Sequence, residues 1–241
     1  MKKVIGVVPK GFLFDMEKPA NSDVFHLVNT YIKRVDEAGA IPMCLAPVDG
    51  RVTQEQLELC DGFIVQGGNK MWPYHFQVIH HAVTTGKPYL GICLGMQLIG
   101  RYYYLRKIVE ERGMEGSVID NILKLYFEEN VGRDVLGPIA GHNNDAPGLM
   151  TRESTEGVKH EANVVPGTTL HRLLGKQQVR GASFHSWRVE KIAEGLTVNA
   201  WSADGTDTVE GLENGSNILG VQFHPEVDDL LPEIFTFLTQ E

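Results

Sequence analysis

The chain has 241 residues, of which 42% are hydrophobic and 22% charged, as in an ordinary globular protein long enough to bury a sizeable core. Its formal net charge of -9, without a basic cluster, argues against nucleic acid as a partner. No apolar segment reaches membrane-spanning length, so the sequence predicts no membrane partner and a cytoplasmic location.

Strands and helices alternate along the first 105 residues. Apolar runs predict strands at 4–8, 41–45, 62–66 and 88–92. Helical spacing predicts helices at 24–35, with Asn21 or Ser22 as the cap, and at 53–60, 75–85 and 95–105. Such alternation indicates an α/β fold with an open, mostly parallel sheet and helices on both faces.

The pattern changes after residue 106. Residues 106–157 are charged and irregular, which predicts an insertion with a helix around 119–128. Strands are then predicted at 158–165, 178–184, 196–201, 208–212 and 218–223, with a last helix at about 230–238. Without a repeat or a linker, the sequence predicts one domain over residues 1–241.

Three cysteines are present, Cys44, Cys60 and Cys93. An odd number without regular spacing does not predict a disulfide framework. No zinc-ligand spacing of Cys and His and no phosphate-binding glycine motif occurs either, so the sequence predicts no metal and no cofactor.

Cys93 has a special backbone context. It follows an apolar run and stands within Gly-Ile-Cys-Leu-Gly, residues 91–95. Flanking glycines permit the sharp turn of a nucleophile elbow, and the start of the next helix favours a thiolate. The alternative is a buried structural cysteine beside a tight turn.

His224 and Glu226 close the last predicted strand in Gly-Val-Gln-Phe-His-Pro-Glu, residues 220–226. A histidine at a strand end could act as a base that the glutamate orients. The alternatives are a surface or a hydrogen-bonded core histidine, and an acid that caps the last helix. The pair of motifs predicts acyl transfer through a thioester.

Two further features are weaker. Gly67 and Gly68 follow the strand expected beside that of Cys93, so their backbone N–H groups could form an oxyanion hole with that of Leu94. Gln97 lies one turn into the elbow helix, where it could contact a substrate. The alternatives are an ordinary glycine turn and an exposed or capping glutamine.

Both motifs resemble signatures of the class I glutamine amidotransferase superfamily. Residues 91–97 are similar to its nucleophile signature, and residues 220–226 to its histidine–glutamate signature. Weaker matches, including residues 62–68 and 196–205, extend the resemblance over nearly the whole chain. Within the superfamily the chain is most similar to the gamma-glutamyl hydrolase branch, which includes gamma-glutamyl-gamma-aminobutyrate hydrolases.

The resemblance implies a flavodoxin-like sheet that carries a Cys-His-Glu triad. Cys93 would be the nucleophile, His224 the base and then the acid, and Glu226 the residue that orients it. Gly68 and Leu94 would donate to the oxyanion. The substrate-binding residues implied are Gln97, Ser183, Phe184 and His185.

The chain departs from the branch around the substrate pocket. Ser186 and Trp187 stand where the branch has His-Gln after Ser-x-His, and Asn69 and Lys70 follow Gly67-Gly68 where it has x-Asp. Leu94 replaces an arginine common in the putrescine-pathway hydrolases. All three triad residues are present, but the sequence does not identify the amine that leaves the substrate.

The predicted function is hydrolysis of a small gamma-glutamyl amide through a gamma-glutamyl thioester. One alternative is a glutaminase subunit that passes ammonia to a separate synthetase partner. Another is a non-catalytic binding protein on the same fold. The sequence leaves a homodimer open.

Overall fold

The computed structural model describes residues 1–13, 23–142, 159–227 and 231–240. The strands in these ranges are β1 Val4–Val8, β2 Lys10–Leu13, β3 Asp23–His26, β4 Ile41–Cys44, β5 Gly62–Val65, β6 Tyr89–Ile92, β7 Leu136–Pro138, β8 Lys159–Val164, β9 Gln178–Ala182, β10 Trp187–Val189, β11 Thr197–Ser202, β12 Val209–Glu213 and β13 Ile218–Val221. The helices are α1 Asn29–Glu37, α2 Gln54–Glu58, α3 Pro73–Thr85, α4 Leu94–Glu111, α5 Val118–Leu123, α6 Thr169–Leu174 and α7 Glu233–Thr236.

Nine strands form one mixed sheet in the order β4-β1-β5-β6-β13-β12-β11-β8-β9. The strands from β4 to β13 in this order are parallel, and the remaining four continue the sheet in antiparallel pairs. The predicted α/β, flavodoxin-like class is confirmed. Strands β5 and β6 are buried along their full length, as expected for parallel strands covered on both faces.

Helices cover both faces of this sheet. Tyr31 and Val35 of α1 join residues of α6 and α7 in one buried apolar cluster. Residues of α3, α4 and α5 form a second cluster. The two apolar layers hold the ends of β5, β6 and β13 in fixed positions, and these three adjacent strands lead into the candidate site.

The predicted helix over 24–35 is wrong in its first turn. Residues Asp23–His26 form β3, which pairs with β2 in a hairpin, and the helix begins at Asn29 with Val28 as its N-cap. Pairing with β2 satisfies the backbone groups that a helix would bond internally. The predicted caps Asn21 and Ser22 lie outside the described residues.

Residues 106–128 are more helical than the sequence predicts. Helix α4 continues to Glu111, and α5 continues as a π-helix over Lys124–Glu128, where a helix was predicted. Residues 143–157 lie outside the described residues, and the assignment of one domain with an insertion stays a prediction. No helix in the described ranges is both long and apolar enough to cross a membrane.

Candidate active site

Cys93 lies between β6 and α4, where the chain turns sharply. Its φ of 54° and ψ of -102° are rare for a residue with a side chain and cost about 1–3 kcal/mol. A Cβ on Gly91 would lie 2.4 Å from the carbonyl oxygen of Gly95, and one on Gly95 would lie 2.4 Å from that of Val65. The elbow therefore needs glycine on both sides of the cysteine.

His224 follows β13 and brings its ring beside the elbow. Its Nδ1 lies 2.6 Å from Oε1 of Glu226, while its backbone N–H donates to the carbonyl of Ala182. Cys93, His224 and Glu226 are all buried. Because the Nδ1–H donates to the carboxylate, Nε2 is the ring nitrogen left to serve Cys93.

The charges around His224 favour its protonated form. Burial alone would lower the pKa of His224, but the negative charges of Glu226 and Cys93 outweigh burial and raise its pKa to about 10. The arrangement therefore favours a protonated imidazole beside Cys93. A cation beside a cysteine in general favours the thiolate, which is the reactive form of the thiol.

Residues of helix α1 contact the chain around His224 and Glu226. The hydroxyl of Tyr31 accepts a hydrogen bond from the N–H of Gly67 at 3.0 Å. Burial and the nearby charge of Glu226 raise the pKa of Tyr31 well above its usual value. Arg34 donates from Nε to the carbonyl of Glu226 at 3.3 Å. Tyr31 and Arg34 of α1 thus both contact Glu226, and neither belongs to the two sequence motifs.

Gly67 and Gly68 face the triad differently. A Cβ on Gly67 would lie 2.7 Å from Cε1 of His224, so a larger residue there would displace the imidazole. The N–H of Gly67 is used by Tyr31. Gly68 and Leu94 line the cavity beside Cys93, and the first amide groups of a helix have no partner within it. This placement suits Gly68 and Leu94 as oxyanion donors.

A cavity of about 610 Å³ opens over Cys93, a volume that suits a small-molecule ligand. Its wall contains Gln97, Phe184 and His185. Gln97 donates from Nε2 to the carbonyl of Trp187 at 3.1 Å and to Gln222 at 3.2 Å, and the ring of Phe184 packs 5.3 Å from that of His224. Ser183 is not among the lining residues, and its buried hydroxyl donates to the carbonyl of His142 at 2.9 Å.

The cavity also contains a cationic wall. Lys70, Arg101 and Arg133 line it, and no carboxylate occurs among its lining residues in the described ranges. Arg101 and Arg133 both donate to the hydroxyl of Tyr126, at 2.5 and 2.9 Å, and Nε of Arg101 is buried without a hydrogen-bond partner. This wall favours an anionic group of a bound molecule.

The cationic wall was not predictable from a sequence motif because its members belong to different elements. One signal was present for Arg101: it lies four positions after Gln97, which places these two residues on one face of α4. No comparable periodicity marks Arg133, which begins a short 3-10 turn.

The comparisons with known proteins agree with this fold. The chain is 23% identical to Protein NtpR of Enterococcus hirae over the full length of both proteins. It is 28% identical to the CTP synthase of Chlamydia felis, a match over 71% of this chain but only 31% of that protein. Among solved structures, the glutaminase domain of Trypanosoma brucei CTPS with bound acivicin has the same fold, with a TM-score of 0.65, 18% identity and coverage of 99% of this chain and 93% of that one.

The family match covers most of the chain. The sequence profile described as glutamine amidotransferase class-I aligns with residues 27–230, a span that includes the elbow, the cavity and the His224–Glu226 pair. The chain therefore belongs to the class-I glutamine amidotransferase family.

Proposed function

We propose that this protein hydrolyses a gamma-glutamyl amide through a gamma-glutamyl thioester on Cys93. The observation that carries the proposal is the strained elbow at Cys93, which opens into the cavity with His224 and Glu226 directly behind it. Membership of the gamma-glutamyl hydrolase branch, as the sequence resemblance implies, is part of the proposal.

Each step assigns one task to these residues. The thiolate of Cys93 attacks the gamma carbonyl carbon, and the oxyanion receives hydrogen bonds from the N–H groups of Gly68 and Leu94. The C–N bond then breaks as His224 gives its proton to the leaving amine. In the second half, His224 takes a proton from water, which attacks the thioester and releases glutamate and the thiolate. Glu226 keeps the imidazole oriented throughout.

The cationic wall of Lys70, Arg101 and Arg133 narrows the substrate class. The glutamyl group of the substrate brings one carboxylate, its alpha-carboxylate. Three cations are more than are needed to bind a single carboxylate. We therefore propose that the leaving amine also carries a carboxylate, as an amino acid does. Arg133 suits this second carboxylate because a guanidinium binds carboxylates in bidentate geometry.

A substrate screen with matched amines tests this assignment. We expect gamma-glutamyl amides of an amino acid to be cleaved more efficiently than those of a neutral or cationic amine of equal length, with glutamate and free amine as the readouts. Arg133→Met should raise KM for the anionic amide by about 10–100-fold, the value of one charged hydrogen bond. The exposed Arg112→Met is the control. If Arg133→Met reduced kcat/KM equally for neutral and anionic amides, the assignment would be contradicted.

The alternative is a glutaminase subunit that delivers ammonia to a separate synthetase. The match to a CTP synthase supports it. Hydrolysis of free glutamine that requires a co-purifying synthetase, with no cleavage of other gamma-glutamyl amides, would favour this alternative. A cytoplasmic location stays a prediction, and a homodimer stays open.

A further inference from the structure

Three histidines and a glutamate converge behind one wall of the cavity. One ligand atom each from His142, His160, His185 and Glu210 lies within 4.8 Å of all the others. Glu210 is fully buried, and His142 and His185 are nearly so. The proposed hydrolysis assigns no chemical step to this histidine cluster.

Four distances between ligand atoms of the cluster are close to those of a metal site. Nδ1 of His142 lies 3.1 Å from Nε2 of His185 and 3.3 Å from Oε1 of Glu210. Nε2 of His185 lies 3.5 Å from the same oxygen, and Nε2 of His160 lies 3.2 Å from Oε2. Ligands of tetrahedral zinc, at bond lengths near 2.0–2.1 Å, stand about 3.3 Å apart.

Two of the histidines have hydrogen-bond acceptors outside the cluster, which leave their other ring nitrogen facing its centre. Nε2 of His142 lies 2.8 Å from Oδ2 of Asp204, and Nδ1 of His185 lies 3.0 Å from the carbonyl of Trp187. These acceptors hold the ring protons on the outside, so His142 Nδ1 and His185 Nε2 present lone pairs to the cluster. Carboxylate and carbonyl partners of this kind fix metal-binding imidazoles.

The remaining atoms lack good hydrogen bonds. Both carboxylate oxygens of Glu210 and Nε2 of His160 are buried without a partner in hydrogen-bonding geometry, although each is within 3.5 Å of another cluster atom. Burying such groups unsatisfied is costly, and a cation at the centre would satisfy them together.

We propose that His142, His160, His185 and Glu210 bind one divalent metal ion of the zinc class. Three imidazoles with a carboxylate suit zinc and similar borderline metals. Four protein ligands complete a tetrahedral shell, which is typical of a structural site. The ion would tie His185 to β8 and β12, and so hold the neighbouring cavity residues Phe184 and Trp187 in place.

Metal analysis of the full chain tests the proposal without any activity assay. Protein purified without chelator should carry about one zinc per chain. A strong chelator should remove the zinc and lower Tm, and added Zn²⁺ should restore both. The visible spectrum of protein reloaded with Co²⁺ should indicate four-coordinate geometry.

Variants locate the site. Glu210→Gln and His160→Ala should lose most of the bound zinc, while the more conservative Asp204→Asn should weaken zinc affinity about 10–100-fold, as loss of an outer partner does. His171→Ala, outside the cluster, and Cys93→Ser should both bind zinc as the wild type does. Binding in Cys93→Ser separates this proposal from the hydrolase proposal.

The rival arrangement is a proton in place of the metal, with His142 protonated between Asp204 and Glu210. In that case neither purified nor zinc-titrated protein would hold the metal, and chelator would leave Tm unchanged, which would overturn the proposal. Wild-type zinc content in folded Glu210→Gln and His160→Ala would also overturn it. If those variants do not fold, the wild-type titration and the Asp204→Asn affinity decide.

Discussion

Replacing Cys93 with serine is expected to reduce hydrolysis of a gamma-glutamyl amide by at least about 10³-fold, since triad nucleophile substitutions cost up to about 10⁶ in kcat. Serine nearly preserves the size of the side chain but replaces the sulfur with a hydroxyl, which is a much weaker nucleophile than a thiol at neutral pH. Steady-state release of glutamate and of the free amine measures the effect.

The chain offers a matched control for this substitution. Cys44 is an exposed free cysteine on β4, so Cys44→Ser makes the same chemical change at a distance from the elbow. It should leave kcat/KM within about twofold of wild type, as expected for a surface substitution. Substantial hydrolysis by folded Cys93→Ser would show that another group is the nucleophile.

Glu226→Gln is expected to lower kcat by about 10²–10⁴, since changing the equivalent acid of a serine triad to an amide costs about 10⁴. The amide occupies the same space but carries no charge, and its NH₂ group can hold the imidazole in the wrong tautomer. KM should change little, because Glu226 does not line the cavity. The exposed Glu233→Gln is the control, and unaltered kcat in Glu226→Gln would exclude the orienting role.

The same variant should alter the pH dependence of stability. His224 has a pKa of about 10 in the folded protein against an ordinary value of 6.5. A raised pKa stabilises the folded state fully below the ordinary value, and this stabilisation is lost as the pH rises towards the folded pKa. The free energy of unfolding of wild type should therefore exceed that of Glu226→Gln most below about pH 6.5 and progressively less towards pH 10. Urea unfolding between these values measures the difference, and a pH-independent difference would contradict the charge pairing.

Local features were predictable because short segments determine them. The glycines that flank Cys93 mark the elbow, and Glu226 lies two residues after His224, close enough to reach its ring. Thr53 and Gln56, three residues apart, likewise form a capping box at the start of α2. In each case the partners lie within a few residues, so their geometry depends little on the rest of the fold.

Features that depend on distant partners were not predictable. Tyr31 reaches Gly67 only because α1 packs under the sheet, and the four residues of the histidine cluster span positions 142 to 210 without a ligand motif. Strand β3 has the helical spacing of α1 in its sequence, but pairing with β2 overrides it. Tertiary contacts of this kind have no periodic signature in one sequence.

The most direct test of the central claim is to trap the acyl-enzyme. Wild-type protein is mixed with a gamma-glutamyl anilide that carries a carboxylate on its ring, quenched in acid within the first turnover, and analysed by intact-protein and peptide mass spectrometry. The proposed chemistry predicts one gamma-glutamyl group on the peptide that contains Cys93, and no such adduct in Cys93→Ser. Turnover without an adduct on Cys93, or with one on Cys44 or Cys60 instead, would contradict the thioester mechanism.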